Sequence, residues 1–99
     1  MEKVGEQIAM KKPDISIIIP IFNVSDYIIP CLESVNDTCS NLNAEIILID
    51  DESEDDSGIL AEKYAQTHNN FFFYKISHGG LSKARNVGVS RASGKYFYF

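Results

Sequence analysis

The sequence has no excess of basic residues and so offers no obvious surface for nucleic acid. Lysine and arginine together number 9, against 14 aspartates and glutamates, which gives a net charge of −5. Proteins that bind nucleic acid through its phosphates carry Lys and Arg clustered on one face or along one helix. We therefore expect no nucleic-acid partner for this chain.

Long apolar runs are also absent. The longest uninterrupted runs fall far short of the ~20 residues that a membrane-spanning helix needs. Residues 1–12 mix lysine with glutamate and contain no apolar segment typical of a signal peptide. Nothing in the sequence predicts a segment that crosses a membrane.

Cysteine and histidine are scarce. The two cysteines, Cys31 and Cys39, show no spacing typical of a metal site, and we expect both to be reduced thiols. This usage favours a reducing compartment, hence the cytoplasm. His68 and His78 have no companions at the spacing of metal ligands, so both are interpreted as surface residues.

Four segments rich in β-branched or aromatic residues predict strands behind a polar leader, residues 1–13. Nearly continuous apolar runs of this kind suit strands that are covered on both faces, as in a parallel sheet. Pro20 is expected to end the first strand. The predicted strands are residues 15–19, 45–50, 71–76 and 96–99.

Three helices are predicted between the strands. Pro30 suits the first turn of a helix, so the first helix should begin near Pro30 and run through Val35, with a polar loop over 36–43. Ser53 or Ser57 can cap the second helix. Gly94 is expected just past the end of the third. The apolar stripes of the second and third helices comprise Leu60, Ala61, Tyr64 and Ala65, then Leu81, Ala84, Val87, Gly88 and Ala92.

Strict alternation of strands and helices over residues 14–99 predicts one α/β domain, or part of one, with a mostly parallel sheet. Ligands bind such sheets at the carboxyl ends of the strands. Polar and aromatic residues follow three of the predicted strands, in the segments 20–23, 50–53 and 78–86. These segments should therefore meet at one edge of the sheet.

The residues at this edge suit a nucleoside diphosphate. The ring of Phe22 can stack on a base, and Asp51 can accept hydrogen bonds from a base N–H or from ribose hydroxyls. The Gly79-Gly80 turn offers backbone N–H groups to an anion, and Lys83 and Arg85 add positive charge. Each feature also has a plainer interpretation: core packing for Phe22, a helix-capping turn for the aspartates, and solvated helix surface for the basic residues.

Other nucleotide-binding or acidic α/β proteins fit less well. A dinucleotide-binding unit needs glycine in its first turn, where this chain has Pro20 to Asn23. A phospho-acceptor signalling domain gathers acids from several strand ends, but the first and third strands here end without acids. A nucleotidyltransferase-like domain, the nearest enzyme alternative, normally carries a glycine-rich basic first loop, which is absent.

The same segments closely resemble family 2 glycosyltransferases. The resemblance spans about residues 14–99, with every motif in order and at normal spacing. It is carried by residues 17–23 (IIIPIFN), Tyr27, 31–35 (CLESV), 46–53 (IILIDDES), 79–88 (GGLSKARNVG), Ala92, Gly94 and Tyr96. Glu52 departs from the pattern, since many relatives have Gly or Asn at that position.

The resemblance implies a three-layer GT-A fold with strand order 3-2-1-4. It also implies nucleotide contacts for eight residues. Pro20 and Phe22 should flank the nucleoside, while Asp51 should bind uracil, with Ser53 in the same motif. The remaining expected contacts, beside the diphosphate and ribose, are Gly80, Lys83, Arg85 and Asn86.

The implied activity is transfer of a hexosyl group, with inversion, from a nucleotide-sugar donor, a UDP-sugar, to a saccharide or lipid-linked acceptor. The process would be synthesis of a cell-surface polysaccharide or glycoconjugate, at the inner face of the membrane. Relatives bind Mg²⁺ or Mn²⁺ through an Asp-x-Asp motif after the fourth strand, which the chain does not reach at Phe99. We therefore assign no catalytic residue and no metal ligand in this chain. We expect it to be inactive alone, with an uncovered strand edge at 96–99 that favours self-association.

Overall fold

The computed structural model of the chain describes residues 13–94 and 96–98, so the predicted leader lies outside it except for Pro13, as does Phe99. Strands and helices alternate along the whole described chain. The elements are β1 (Ile15–Ile21), α1 (Ile28–Thr38), β2 (Ala44–Asp50), α2 (Ser57–Gln66), β3 (Phe71–Lys75), α3 (Gly80–Arg91) and β4 (Tyr96–Tyr98).

All described strand pairs are parallel, and together they form one sheet in the order β3-β2-β1-β4. The α/β class and the parallel sheet are confirmed. The position of β4 beside β1 is the one that the order 3-2-1-4 requires. The carboxyl ends of β1, β2 and β3 consequently lie side by side, as the sequence predicted.

The centre of the fold is β2, which is buried at every position. Its side chains alternate between two cores. Ile46 and Leu48 pack with residues of α1 and α2 on one face, and Ile47 and Ile49 pack with Ile18 and with α3 on the other. Burying one isoleucine side chain contributes roughly 1.5–3 kcal/mol to the free energy of folding. Because β2 buries side chains on both of its faces, it holds helices against both sides of the sheet, which gives three layers.

Helix α3 lies unusually close to the sheet because Gly88 has no side chain. A Cβ atom at this position would lie 2.3 Å from Cγ2 of Ile18 on β1. Ile18 is fully buried, so it has no room to retreat. The glycine therefore sets the distance between α3 and β1, and with it the position of the loop that leads into α3.

Pro20 does not end β1 as predicted, since the strand continues to Ile21. The carbonyl oxygen of Ile21 accepts a hydrogen bond of 2.9 Å from the N–H of Asp51, so alternate residues of β1 bond to β2. The backbone nitrogen of Pro20 faces the other side, where the described pairing with β4 stops at Ile17. Its missing N–H therefore removes no hydrogen bond from the described sheet.

The first helix is longer at both ends than predicted. It begins at Ile28, which makes Pro30 the third helical residue, and the N–H groups of the first turn have no partner within the helix in any case. It also continues past Val35, whose carbonyl oxygen accepts the N–H of Cys39 at 2.9 Å. The polar residues 36–38 are helical, not loop as predicted.

Neither predicted serine caps α2. Ser57 is the first helical residue and Asp56 precedes it, with no side-chain capping bond. The hydroxyl of Ser57 accepts the backbone N–H of Val24 instead, at 2.7 Å. This bond is one of four that tie the loop after β1 to the loop after β2. The other three are Asn23 N–H to Ser53 Oγ (3.0 Å), Ser25 N–H to Asp55 Oδ2 (3.1 Å) and Glu54 N–H to Asn23 Oδ1 (2.8 Å).

A buried glutamate holds the connection between α3 and β4. Glu45 Oε2 accepts the hydroxyl of Ser16 and the backbone N–H of Ser93, both at 2.6 Å. The Ser16 hydroxyl in turn accepts the N–H of Gly94 at 2.9 Å. A Cβ on Gly94 would lie 2.6 Å from that hydroxyl oxygen, so glycine is needed here to let the backbone approach Ser16 closely. Gly94 does not end α3 as predicted, because Ala92 already follows the helix in extended conformation.

Replacing Glu45 with alanine should destabilise the chain by about 2–4 kcal/mol, because the buried hydroxyl of Ser16 and the backbone N–H of Ser93 would lose their carboxylate acceptor. Urea denaturation of the parent and the variant measures this change. Glu62→Ala, which removes an exposed glutamate from α2, is the control and should shift stability by less than about 0.5 kcal/mol. Equal effects of the two substitutions would contradict a structural role for Glu45.

The hydrogen bonds between the loop after β1 and the loop after β2 should weaken in acid. Hydrogen bonds from Ser57, chiefly its hydroxyl, and from Ser25 lower the pKa of Asp55 from 3.8 to about 2. Because the pKa is lower in the folded state, ionised Asp55 stabilises the fold above pH ~4, and this stabilisation is lost as the pH falls from ~4 to ~2.

Asp55→Asn should therefore flatten the dependence of the unfolding free energy on pH between ~4 and ~2, relative to the parent chain. Denaturant titrations at a series of pH values give this profile. Asp26→Asn, which removes the same charge from the loop before α1, should leave the profile in place. A parental slope that persists in Asp55→Asn would show that other carboxylates cause it.

Candidate functional site

Two adjoining cavities open at the carboxyl edge of the sheet. One has a volume of ≈ 360 Å³ and is lined by Pro20, Phe22, Asp51, His78 and Gly80 among others. The second, of ≈ 490 Å³, is lined by Phe22, Glu52, Ser53, Glu54 and His78. Phe22 and His78 line both cavities. We call the first cavity, with these two rings as its rim, the edge groove.

The ring of Phe22 is exposed, although it directly follows the buried end of β1. Its exposed fraction is 45%, which excludes the core-packing interpretation. The only described ring close to it is the imidazole of His78, with a distance of 5.0 Å between ring centroids and an angle of 37° between the planes. An exposed ring at the mouth of a groove can stack on a flat ligand.

The carboxylate of Asp51 is buried and accepts two hydrogen bonds from one loop. It also lies beside the imidazole of His78, whose Nδ1 is hydrogen-bonded to the backbone carbonyl oxygen of Asp51 at 3.3 Å. Its Oδ1 accepts the N–H of Gly79 at 2.9 Å, and Oδ2 accepts the N–H of Gly80 at 3.1 Å. Nδ1 of His78 lies 3.0 Å from Oδ2. A carboxylate offers only lone pairs, so Nδ1 carries the proton in this contact. The glycine N–H groups are therefore engaged within the chain and, contrary to the prediction, are not free for an anion.

Asp50 shapes the turn that carries Asp51. It is buried, and its Oδ1 accepts the N–H of Ser53 at 3.3 Å. A Cβ on Gly58 would lie 2.5 Å from its Oδ2, so the start of α2 closes over this carboxylate. The two adjacent aspartates thus differ in role: Asp50 holds its own turn, and Asp51 holds the loop after β3.

Glu52 adopts the left-handed backbone conformation, with φ of 58°. Most residues other than glycine rarely adopt this conformation, whereas Gly and Asn tolerate it. Glu52, which departs from the family pattern, is therefore a strained residue in this turn. Its Oε1 accepts the backbone N–H of His78 at 3.0 Å, which ties the strained turn to the loop after β3.

Three of the four residues predicted beside the diphosphate and ribose lie on α3 outside the two cavities, whereas Gly80, the first residue of that helix, lines the edge groove. Lys83 donates from Nζ to the carbonyl oxygen of Ser77 at 2.9 Å and to its hydroxyl at 3.0 Å. Arg85 and Asn86 are exposed on the same helix, and neither lines either cavity. The structure thus brings Pro20, Phe22, Asp51 and Gly80 together, with Ser53 in the adjoining cavity, and places the other three along the helix that follows.

Sequence reasoning missed the role of both histidines. His78 is exposed as predicted, but it joins Phe22 and Asp51 at the groove. His68 is half-buried and stacks on Tyr64, with 3.9 Å between ring centroids, so it is a packing residue and not a simple surface residue. The position of His78, beside Gly79-Gly80 at a predicted strand end, was the signal that should have drawn attention to it.

Within residues 13–94 and 96–98, no three His, Cys, Asp or Glu side chains come together as a metal site. Both cysteines are free, and burial raises the pKa of the Cys39 thiol. In the same residues, no helix has both the length and the apolar character to span a bilayer.

Comparison with known proteins identifies the family. The sequence model of Glycosyl transferase family 2 matches residues 16–99. The chain is 42% identical over 88 residues to the minor teichoic acid biosynthesis protein GgaB of Bacillus subtilis (strain 168), covering 87% of this chain and 10% of GgaB. It is 36% identical over 88 residues to the poly(ribitol-phosphate) beta-glucosyltransferase of Bacillus spizizenii, covering 86% of this chain and 14% of that protein.

A solved structure agrees with the sequence match. The crystal structure of Staphylococcus aureus TarS 1-349 in complex with UDP superposes with a TM-score of 0.71 at 26% identity, covering 87% of this chain and 26% of that one. The chain thus spans between a tenth and about a quarter of the length of these relatives. Because the family's sequence model matches nearly all of the chain, this protein belongs to glycosyl transferase family 2.

Proposed function

We propose that the edge groove binds the nucleoside of a UDP-sugar and that the chain is the donor-binding part of a hexosyltransferase. The observation that carries the proposal is the meeting of an exposed ring, Phe22, with a buried carboxylate, Asp51, at the ligand-binding edge of a family 2 sheet. The UDP complex of TarS and the glucosyltransferase name of one relative support this choice of donor.

At the N3 position of the base, the chemistry of Asp51 favours uracil over cytosine. An ionised carboxylate only accepts hydrogen bonds, and uracil presents an N–H donor at N3, where cytosine presents a lone pair. The base would stack on the exposed ring of Phe22, and Pro20 would form the wall of the groove next to it. Base choice would then rest mainly on one oriented acceptor.

The diphosphate and ribose would lie along the start of α3. Gly80 opens this helix, and Lys83, Arg85 and Asn86 follow on its first turns. Because Asp51 engages the N–H groups of Gly79 and Gly80, the diphosphate would be held by the basic side chains of this helix and not by these two amides. Lys83 would have to exchange its exposed contacts with Ser77 for the phosphate, which costs little because exposed polar contacts of this kind are weak.

No described residue is assigned as a metal ligand or as the general base of the reaction. In transferases of this type Mg²⁺ or Mn²⁺ stabilises the departing diphosphate, and a carboxylate deprotonates the acceptor hydroxyl. The described residues contain no cluster that suits such an ion, so we derive no step through it. For this chain we propose binding and orientation of the donor nucleotide only.

The biological setting that we propose is synthesis of a cell-surface polysaccharide or glycoconjugate on a saccharide or lipid-linked acceptor. The relative GgaB is a teichoic acid biosynthesis protein, which supports this setting. Inversion at the transferred sugar, a cytoplasmic location at the inner face of the membrane, and self-association through the edge strand β4 stay predictions.

We predict that the chain binds UDP at least tenfold more tightly than CDP and that Asp51→Asn weakens UDP binding by about tenfold or more. A charged acceptor in a partly desolvated hydrogen bond contributes about 1.5–3 kcal/mol. Titration calorimetry with both nucleotides measures these differences. Asp56→Asn is the matched control, since it removes the same charge from the same loop and Asp56 makes no side-chain capping bond. Equal affinity for UDP and CDP, or UDP binding unchanged in Asp51→Asn, would contradict the role of Asp51.

We also predict that the 99-residue chain transfers no sugar by itself. Its acids near the site, Asp50 to Asp56, lie at the nucleoside side of the groove, and the described residues offer no metal site. The assay is release of UDP from UDP-sugars with Mn²⁺, for this chain and for a version as long as its relatives. Metal-dependent turnover by the short chain would show that the active site is misplaced, whereas inactivity of both would contradict the proposed transferase.

A further inference from the structure

The imidazole of His78 makes the two contacts that the proposed function assigns to the base. It lies against the ring of Phe22, with 5.0 Å between centroids. Its Nδ1 lies 3.0 Å from the carboxylate of Asp51 and 3.3 Å from the backbone carbonyl oxygen of the same residue. Uracil is likewise a flat heterocycle with an N–H beside its ring carbonyls. A side chain of this protein therefore resembles the expected ligand in shape and in hydrogen bonding.

With His78 in this position, the carboxylate of Asp51 is closed to an external ligand. The side chain of Asp51 is only 5% exposed. Its two hydrogen-bond donors are the backbone N–H groups of Gly79 and Gly80, which belong to the start of α3. The remaining neighbour is the side chain of His78, which is also hydrogen-bonded to the backbone carbonyl oxygen of Asp51. This side chain is 57% exposed, so outward rotation would carry it into solvent.

We infer that His78 occupies the base site of the nucleotide-free chain and must swing out before a uracil ring can reach Asp51. The inference rests on the proposed function, since it takes Phe22 and Asp51 as the base-binding pair. Rotation about the side-chain bonds of His78 leaves its backbone N–H on Glu52 Oε1, so the loop itself keeps its position. The exchange replaces one aromatic N–H group on the carboxylate with another.

The contacts that hold His78 are weak enough to be exchanged. The imidazole and the ring of Phe22 are both exposed, so the contact between the two rings contributes little to stability. The buried carboxylate of Asp51 would gain the N–H of the base when it loses its contact with His78, so the exchange does not leave it short of a donor. When a site is open for only a fraction of the time, its observed affinity for the ligand equals that fraction of the affinity of the open site. Occupation by His78 should therefore reduce the affinity for UDP by about three- to tenfold.

His78→Ala should accordingly bind UDP about three- to tenfold more tightly than the parent chain, and His78→Ser should do the same. Titration calorimetry with UDP measures the affinities. His68→Ala is the matched control, because it removes the other imidazole, which lies against Tyr64 and Phe71 outside the groove, and its UDP affinity should equal that of the parent. Thermal unfolding of each variant verifies that it is folded.

The remaining outcomes separate this inference from the proposed function. Weaker UDP binding by both His78 variants would show that the imidazole contacts the bound nucleotide, and unchanged binding would show that it does not compete; either result overturns the inference and leaves the proposed function standing. Absence of UDP binding in the parent and in every folded variant would overturn the proposed function, and the inference with it.

Discussion

The carboxylate of Asp51 is the point on which the functional edge of this fold depends. It lies at the end of the fully buried strand β2 and holds the N–H groups of Gly79 and Gly80. This contact joins the centre of the sheet to the start of α3. The helix is fixed again further along, where Gly88 lets it lie against Ile18. The loop after β3 is thus held at both ends, so we expect the wall of the groove that it forms to keep its position when the His78 side chain rotates.

The loop after β2 organises its neighbours on both sides. The loop after β1 donates three backbone N–H groups to side chains of residues 53–57, and the loop after β3 donates to Asp51 and Glu52. Backbone donors that have no partner in a strand or helix thereby find acceptors on neighbouring loops. The strained backbone of Glu52 is maintained by these contacts. A nucleotide would therefore meet a largely preformed site, in which a single exposed ring has to move.

Much of this arrangement could be predicted from local pattern. The buried run of β2, the alternation of strands and helices, and the residues Phe22 and Asp51 at strand ends all follow from short stretches of sequence. The errors came from contacts between distant residues. Pro20 stays in β1 because its nitrogen faces away from β2, and Gly94 serves the buried Glu45 cluster rather than the end of α3. His78 acquires its role from Asp51 and Phe22, both far away in sequence, and no local spacing encodes such a meeting.

The central claim is that Asp51 keeps the glycine loop in place while it exchanges His78 for a base. NMR of the isotope-labelled chain during a UDP titration tests it most directly. The account predicts that saturating UDP shifts the ring signals of Phe22 and His78, while the amides of Gly79 and Gly80 stay protected from hydrogen exchange with and without nucleotide. UDP binding that leaves both rings unperturbed, or rapid exchange of both glycine amides, would contradict it.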